Sequence, residues 1–248
     1  IPDAHAAITM QALEAGKPVY VEKPLCISEK QLADIVGAYS GQIEAGVVPF
    51  LMVGFNRRYA PLALEMQAFL QDTHPLVMSY RVNAGYIPLD SWIQDPEQGG
   101  GRILGEVCHF VDFLQFLCGA DPLRVYASCV GGETESLVPQ DNLIIQIDFA
   151  DGSVGSIHYV ANGDKTFPKE RVEVFGGGRV AVLEDFRWLE TVAHGKSRKR
   201  CSVFRQDKGH TGELRAFVDA LRAGHSAPIA FDSLIMTTLT TLCARDAL

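Results

Sequence analysis

Residues 99–112 read GGGRILGEVCHFVD, and this segment decides how the chain is organised. Three glycines lead into a helical pattern in which Glu106, His109 and Asp112 are three residues apart, so we expect them on one helical face. Apolar residues around them would anchor that helix in a core: Ile103, Leu104, Val107, Phe110, Phe113, Leu114 and Leu117. The segment predicts a buried helix that presents titratable groups. The alternative is a surface turn followed by an amphipathic helix with a satisfied histidine.

The residues at the start of the chain alternate helices and strands. We predict a helix over 3–16, an apolar strand over 18–21, a helix over 29–44 that Ser28 caps, and a second apolar strand over 50–54. This rhythm is typical of a parallel α/β sheet. Because only two strands are present, we interpret them as the remnant of a doubly wound sheet whose other strands would lie before residue 1.

The pattern changes after residue 58. Asp151-Gly152 joins two alternating runs, which is a strong hairpin signal, and Gly176–Gly178 joins the next pair. Such strands predict an open, mostly antiparallel sheet with helices on one face. The predicted elements are a helix over 60–71, a strand over 76–84, the glycine-led helix to 117, strands near 123–131, 141–150, 153–161, 170–176 and 179–184, and helices near 211–223 and 232–247. The fold class is α/β followed by α+β, with predicted domains at 1–57 and 58–248.

Charge and hydropathy exclude several classes of protein. The 248 residues carry a net charge of −8, which argues against nucleic-acid binding. The one basic run, residues 196–200, is interpreted as a solvated loop or strand edge, with contact to a phosphate-bearing ligand as the weaker alternative. No apolar stretch reaches the ~18 residues of a membrane span, and from the first residues we expect no signal peptide.

The six cysteines form no Cys-x-x-Cys pair, which disfavours metal fingers and disulfide frameworks. We therefore expect buried free thiols in a reducing, cytoplasmic compartment. The chain begins at Ile1 without an initiator methionine, so we expect a fragment or a trimmed polypeptide.

A second motif, Glu22-Lys23-Pro24-Leu25, follows the first predicted strand. Ligands of open α/β sheets bind outside the carboxyl ends of the strands, which is where this motif lies. Pro24 favours extended geometry at Lys23 or permits a cis bond, and either fixes the direction of the lysine. The alternative is a surface lysine at a strand end.

These motifs together resemble the Gfo/Idh/MocA family, which is named for glucose–fructose oxidoreductase and inositol dehydrogenase. The resemblance begins with His5, Ala15-Gly16-Lys17 and Val21–Leu25. Gly54–Tyr59 is similar to the segment that links the family's two domains, and residues 99–112 resemble its catalytic helix. The sequences of residues 83–88 and 99–112 look most like those of the subgroup sometimes found fused to a zinc-type alcohol dehydrogenase domain.

The resemblance implies an NAD(P)-dependent dehydrogenase that acts on a sugar or polyol. A Rossmann domain would precede an open sheet that binds substrate and mediates homo-oligomers. Lys23 would contact both substrate and cofactor, and His109 would transfer the proton of the hydroxyl or carbonyl group being interconverted. The residues expected at the cofactor are Glu22, Lys23, Pro24, Asn56 and Arg57.

Two departures from the family pattern follow from the residues present. No Gly-x-Gly-x-x-Gly turn occurs in this sequence, so we expect the pyrophosphate site to be incomplete and this fragment alone to be inactive. The acid that commonly lies four positions before the histidine is replaced by Gly105. Glu106 is the nearest carboxylate, and we include it with Lys23 and His109 as a catalytic candidate.

The chemistry of these side chains is consistent with the reaction. An imidazole with a pKa near neutrality can take the proton of a hydroxyl, and a lysine ammonium can stabilise the developing negative charge on its oxygen. The candidates for substrate binding are Lys23, Arg102, Tyr86, Trp92, His109 and His158. We predict no metal site, because the adjacent residues Cys108 and His109 cannot face one metal from a helix. The alternative function is a non-catalytic module for carbohydrate binding or oligomerisation.

Overall fold

Two β-sheets organise the chain in this computed structural model, which describes residues 2–95, 97–131, 138–202 and 205–248. The smaller sheet pairs β1 (Val19–Val21) with β2 (Leu51–Val53) in parallel. Helices α1 (His5–Glu14) and α2 (Glu29–Glu44) pack against each other beside it. Helix α2 begins at Ser28, whose hydroxyl accepts a hydrogen bond from the backbone N–H of Gln31, as the capping pattern predicts.

The larger sheet has eight strands in the order β10-β9-β8-β7-β3-β6-β5-β4. Strands β3 and β6 are parallel, and all the other neighbours are antiparallel. The strands are β3 (Val77–Asn83), β4 (Pro122–Cys129), β5 (Leu143–Phe149), β6 (Val154–Val160), β7 (Glu170–Gly176), β8 (Arg179–Glu184), β9 (Trp188–Ala193) and β10 (Lys196–Cys201). The remaining helices are α3 (Pro61–Leu70), α4 (Cys108–Cys118), α5 (His210–Ala223) and α6 (Phe231–Asp246).

Helix α4 lies at the centre of the core. Ten of its eleven residues are buried, and Phe110 and Phe113 pack on Tyr80 from β3. Residues of β5 alternate between buried and more exposed, because successive strand side chains point to opposite faces. The helices therefore cover one face of the large sheet, and the predicted α/β plus α+β fold is confirmed.

Most predicted elements are present, but the last hairpin was not predicted. The hairpins at Asp151-Gly152 and at Gly176–Gly178 are confirmed by antiparallel pairing of β5 with β6 and of β7 with β8. Strands β9 and β10 lack the apolar alternation by which strands are recognised. The basic run forms β10, every residue of which is exposed, so its interpretation as a strand edge is confirmed. Among the described residues, no helix has the length and apolar character to cross a bilayer.

The buried apolar residues form two clusters, one under each sheet. Leu234 and Leu242 of α6 belong to the cluster of the small sheet, although they lie near the end of the sequence. The division of the chain at residue 57 therefore stays a prediction.

A buried ion network ties the segment after β2 to the large sheet. The guanidinium of Arg57 donates two hydrogen bonds to Glu170 at the start of β7, of 2.8 and 3.0 Å. Tyr80 donates to the same carboxylate at 2.6 Å, and Lys208 forms a further ion pair with it. Burial would raise the pKa of Glu170, but Arg57 and Lys208 hold this pKa well below its usual range.

We expect Glu170→Gln to lower the free energy of unfolding by about 3–5 kcal/mol, because the buried Arg57 keeps its charge and loses its counter-charge. Chemical denaturation measures the loss. The matched control is Glu190→Gln, at an exposed carboxylate that pairs with Lys199, where solvent screening should make the loss much smaller. Equal losses in the two variants would contradict a special role for the buried network.

Candidate active site

Lys23 connects the end of the small sheet to the glycine-led segment. It lies two residues after β1, and its ammonium donates a 2.8 Å hydrogen bond to the backbone carbonyl of Gly105. The Nδ1 atom of His5 lies 2.8 Å from the backbone carbonyl oxygen of Pro24, the residue that follows Lys23. The Lys23–Pro24 peptide bond is cis. The two motifs singled out in the sequence thus meet at one place, although Lys23 and Gly105 are 82 residues apart.

The glycine-led segment is wound in an unusual way. Residues Ile103–Val107 form a π-helical turn that continues into α4, and such turns are frequent at functional sites. Gly100 and Gly101 have φ of +73° and +74°, which favour glycine. A Cβ on Gly99 would lie 2.6 Å from the backbone oxygens of Trp92 and Ile93, so this turn packs directly against the preceding loop.

His109 is buried beside the lysine, with only 7% of its surface exposed, and its ring packs edge-on against Phe55. Its Nδ1 atom has no hydrogen-bond partner. Burial and the cationic neighbours Arg57 and Lys23 lower the pKa of His109 well below its usual value. The site therefore holds a neutral imidazole whose buried Nδ1 atom is unpartnered.

Glu106, the carboxylate nearest to the position of the missing acid, has partners other than His109. Its carboxylate accepts hydrogen bonds from Tyr159 and from Arg102, the residue one turn earlier, and it pairs with Lys169 at 3.4 Å. Burial would raise the pKa of Glu106, but Lys169, Tyr159 and Arg102 lower it. Glu106 is therefore a charged carboxylate held where strand β6 ends and strand β7 begins.

A cleft of about 370 Å³ opens between the two sheets at this point. Six of the predicted site residues line it: Glu22, Lys23, Pro24, Trp92, Arg102 and Glu106. His5, Ile87 and Ile93 also line it and were not predicted as site residues. The side chain of Trp92 is half exposed at the cleft, whereas Arg102 is buried and donates to the backbone carbonyl of Gly85.

Three predicted residues lie elsewhere in the structure. The expectation that His158 of β6 binds substrate at the cleft is wrong. Tyr159 faces Glu106 and α4, so its neighbour His158 points to the opposite face of the sheet. The amide of Asn56 donates to the backbone carbonyl of Lys208, and Arg57 is bound to Glu170. The polar groups of Asn56 and Arg57 are thus engaged in buried contacts away from the cleft.

Neither Tyr86 nor Asp112 lines the cleft. Tyr86 is 40% exposed on the loop after β3, but it is not among the residues that line the cleft. Asp112, which shares the glycine-led segment with Glu106 and His109, is ion-paired with Arg58. In the part of the chain that the structure describes, no group of three or more His, Cys, Asp or Glu side chains is placed to hold a metal ion.

Tyr159 and Lys169 are functional candidates that the sequence did not reveal. Tyr159 lies in an alternating strand, where it looks like an ordinary core residue, and Lys169 directly precedes β7. Only the strand order, which places β6, β3 and β7 side by side, brings both residues to the N-terminal end of α4.

Comparison with known proteins identifies related sequences. Residues 75–179 match the family model of the GFO/IDH/MocA C-terminal domain. The chain is 30% identical over 156 residues to the inositol 2-dehydrogenase/D-chiro-inositol 3-dehydrogenase of Lactiplantibacillus plantarum, covering 60% of this chain and 41% of that protein. It is 21% identical to the inositol 2-dehydrogenase of Rhizobium meliloti, covering 98% of this chain and 75% of that protein.

Solved structures share the fold. An oxidoreductase domain protein from Kribbella flavida superposes with a TM-score of 0.82 at 19% identity, over 99% of this chain and 76% of that one. A levoglucosan dehydrogenase, solved in complex with NADH and levoglucosan, gives a TM-score of 0.79 at 19% identity, over 99% of this chain and 75% of that one.

The lowered pKa of His109 makes folding depend on pH. The ordinary histidine pKa is about 6.5. As pH falls below this value, His109 becomes protonated in the unfolded chain but stays neutral in the folded protein, because its pKa there is lower. The stabilising contribution of His109 is therefore present above pH 6.5 and is lost below it. We expect His109→Gln to reduce the fall in unfolding free energy between pH 7.5 and pH 5, measured by urea denaturation. His225→Gln, at an exposed position, is the control, and equal slopes in wild type and His109→Gln would refute the assignment.

Proposed function

Because this chain belongs to the Gfo/Idh/MocA family of oxidoreductases, we propose that it forms the substrate side of an NAD(P)-dependent dehydrogenase acting on a hydroxyl group of a sugar or polyol. One observation carries the proposal. The Lys23 ammonium is bonded to the carbonyl one turn before His109, whose Nδ1 atom is buried and unpartnered. Lys23 and Gly105 line the cleft, and the buried imidazole of His109, which is not among its lining residues, follows Gly105 by one helical turn.

Each catalytic residue has a defined role in this proposal. When bound, the nicotinamide accepts or supplies the hydride. His109, kept neutral by its surroundings, takes the proton that leaves the hydroxyl group as the carbonyl forms. Lys23 donates to the same oxygen and stabilises its developing negative charge. Among the described residues, no carboxylate lies within ion-pair distance of Lys23, so its positive charge is not neutralised by a neighbour.

The cofactor contacts of the proposal are limited to residues at the cleft. Glu22, Lys23 and Pro24 line it at the carboxyl end of β1, where α/β sheets bind their ligands. The unpartnered nitrogen of His109 fits a site that is completed by bound molecules. We omit Asn56 and Arg57, because their polar groups are already hydrogen-bonded elsewhere.

The proposed substrate is a polyhydroxylated ring. Relatives named for inositol and levoglucosan support this class. Trp92 offers a half-exposed aromatic surface at the cleft, on which the apolar face of a sugar ring can pack. Kinship with the subgroup fused to zinc-type alcohol dehydrogenases stays a prediction.

The setting of the enzyme is also part of the proposal. The six free cysteines support a cytoplasmic compartment. Self-association through the open face of the large sheet is supported by a row of exposed apolar residues on adjacent strands, Val77, Val154 and Phe175. No nucleic-acid or membrane partner is proposed.

We expect His109→Ala to lower kcat by about 10²–10⁴-fold, the usual value of general acid–base catalysis, while the affinity for NADH changes little. The assay uses the complete product of the reading frame, NAD⁺ or NADP⁺, and a panel that includes myo-inositol and levoglucosan. Titration of NADH fluorescence gives the affinity. His158→Ala, on the far face of the sheet, is the control and should leave kcat unchanged. Undiminished turnover in His109→Ala would remove this residue from the mechanism.

A further inference from the structure

Hydrogen bonds of its backbone hold Lys169 in place near the C-terminal ends of the central strands β3 and β6. Its carbonyl accepts a 2.7 Å hydrogen bond from the backbone N–H of Asn83, and its own N–H donates to the carboxylate of Asp185 at 3.2 Å. The backbone is thus fixed on both sides of the residue. Its side chain, 40% exposed, extends to Glu106 beside the cleft.

The two carboxylate oxygens of Glu106 accept different numbers of hydrogen bonds. Its Oε2 atom accepts hydrogen bonds from Tyr159 and Arg102. Its Oε1 atom has Lys169 as a partner, and at 3.4 Å this contact is long for a charged hydrogen bond. The ammonium of Lys169 can donate three hydrogen bonds, and a carboxylate oxygen can accept two. This pair therefore keeps both a donor and an acceptor for a ligand.

We propose that Glu106 and Lys169 form a substrate-orienting pair that binds two hydroxyl groups on neighbouring carbons of the sugar or polyol. A hydroxyl both donates and accepts, so one can donate to Oε1 of Glu106 while its neighbour accepts from the Lys169 ammonium. The proposal rests on the proposed function. It makes Lys169 a specificity-determining residue and assigns Glu106 to substrate binding.

The position of the pair gives it control over which hydroxyl reacts. Glu106 directly follows Gly105, whose carbonyl binds Lys23, and it precedes His109 by three residues. A ring bound through two adjacent hydroxyls has its orientation fixed, so one particular further hydroxyl faces Lys23 and His109. Lys169 is also one of the cations that lower the pKa of His109, so its charge acts on that imidazole.

A purely structural ion pair is the competing explanation. Tyr159 and Arg102 already hold Glu106 in place, and a partly exposed pair such as Lys169–Glu106 adds little to folding. A structural role would therefore leave substrate affinity and regioselectivity unchanged when Lys169 is replaced.

The test compares Lys169→Met, Lys169→Arg and the control Lys199→Met with the wild-type enzyme. Lys199 forms a 3.4 Å pair with Glu190 on the exposed edge of the sheet, so it matches the Lys169 pair in length. The probes are myo-inositol, D-glucose and levoglucosan, assayed with NAD⁺ and NADP⁺. Each oxidised product is analysed for the position of its carbonyl.

For a probe that the wild type oxidises, Lys169→Met should raise KM tenfold or more, as expected for the loss of one charge-assisted hydrogen bond. Its kcat should stay within a few-fold, and its carbonyl should appear at additional ring positions. Lys169→Arg should restore part of the KM, and Lys199→Met should match wild type. An unchanged KM and product in Lys169→Met, or a fall in kcat alone, would overturn the proposal.

If the wild type oxidises none of the probes, the proposed function fails, and the binding of the same probes, measured by saturation-transfer NMR, decides the inference separately. Binding by wild type that is weakened in Lys169→Met, but not in Lys199→Met, supports the orienting pair. Equal binding by wild type and Lys169→Met, or no binding of any probe by the wild type, overturns it.

Discussion

The structure depends on one constraint: the segment from Arg102 to Phe110 is wedged between two hydrophobic cores. Leu104 and Cys108 pack into the core of the small sheet, while Ile103, Val107 and Phe110 pack into the core of the large one. Residues four apart share a helical face, so each of these two sets follows one side of the segment. The segment cannot rotate without removing apolar side chains from a core, which would cost several kcal/mol for each large side chain.

Fixing the apolar faces also fixes the polar ones. Arg102 and Glu106, four apart, face the edge of the large sheet, and the carbonyl of Gly105 faces Lys23. The pKa of the buried His109 is lowered by burial and by cations, whereas Glu106 keeps its charge because donors surround it. Two neighbouring groups thus acquire opposite properties: one is a neutral proton acceptor and the other is an anchored anion. A difference of this kind is what separates catalytic from binding roles in many active sites.

The sequence predicts what depends on local pattern. The apolar strands, the Ser28 cap and the Asp151-Gly152 hairpin follow from periodicity and turn chemistry, and all are present. Strand β9 and its hairpin to β10 were not predicted, because the residues of these strands are mostly exposed and do not alternate. The site is harder to predict, since the positions of Tyr159 and Lys169 depend on strand order. The spacing of Glu106 and His109 also left the partner of Glu106 open, and the structure pairs it with Arg102 one turn earlier.

Gly105 shows how a departure from a family pattern can change the electrostatics of a site. A Cβ at this position would have no atom nearer than 3.9 Å, and the residue lies outside the left-handed region, so neither space nor backbone geometry requires glycine. An acid four residues before His109 would favour the charged imidazolium and raise its pKa. Without one, the charges that shift the pKa of His109 are cationic neighbours such as Arg57 and Lys23, and Lys23 donates to the backbone carbonyl of Gly105. Among the described residues, the Lys23 ammonium therefore has no carboxylate partner, and the imidazole of His109 is held in its neutral form.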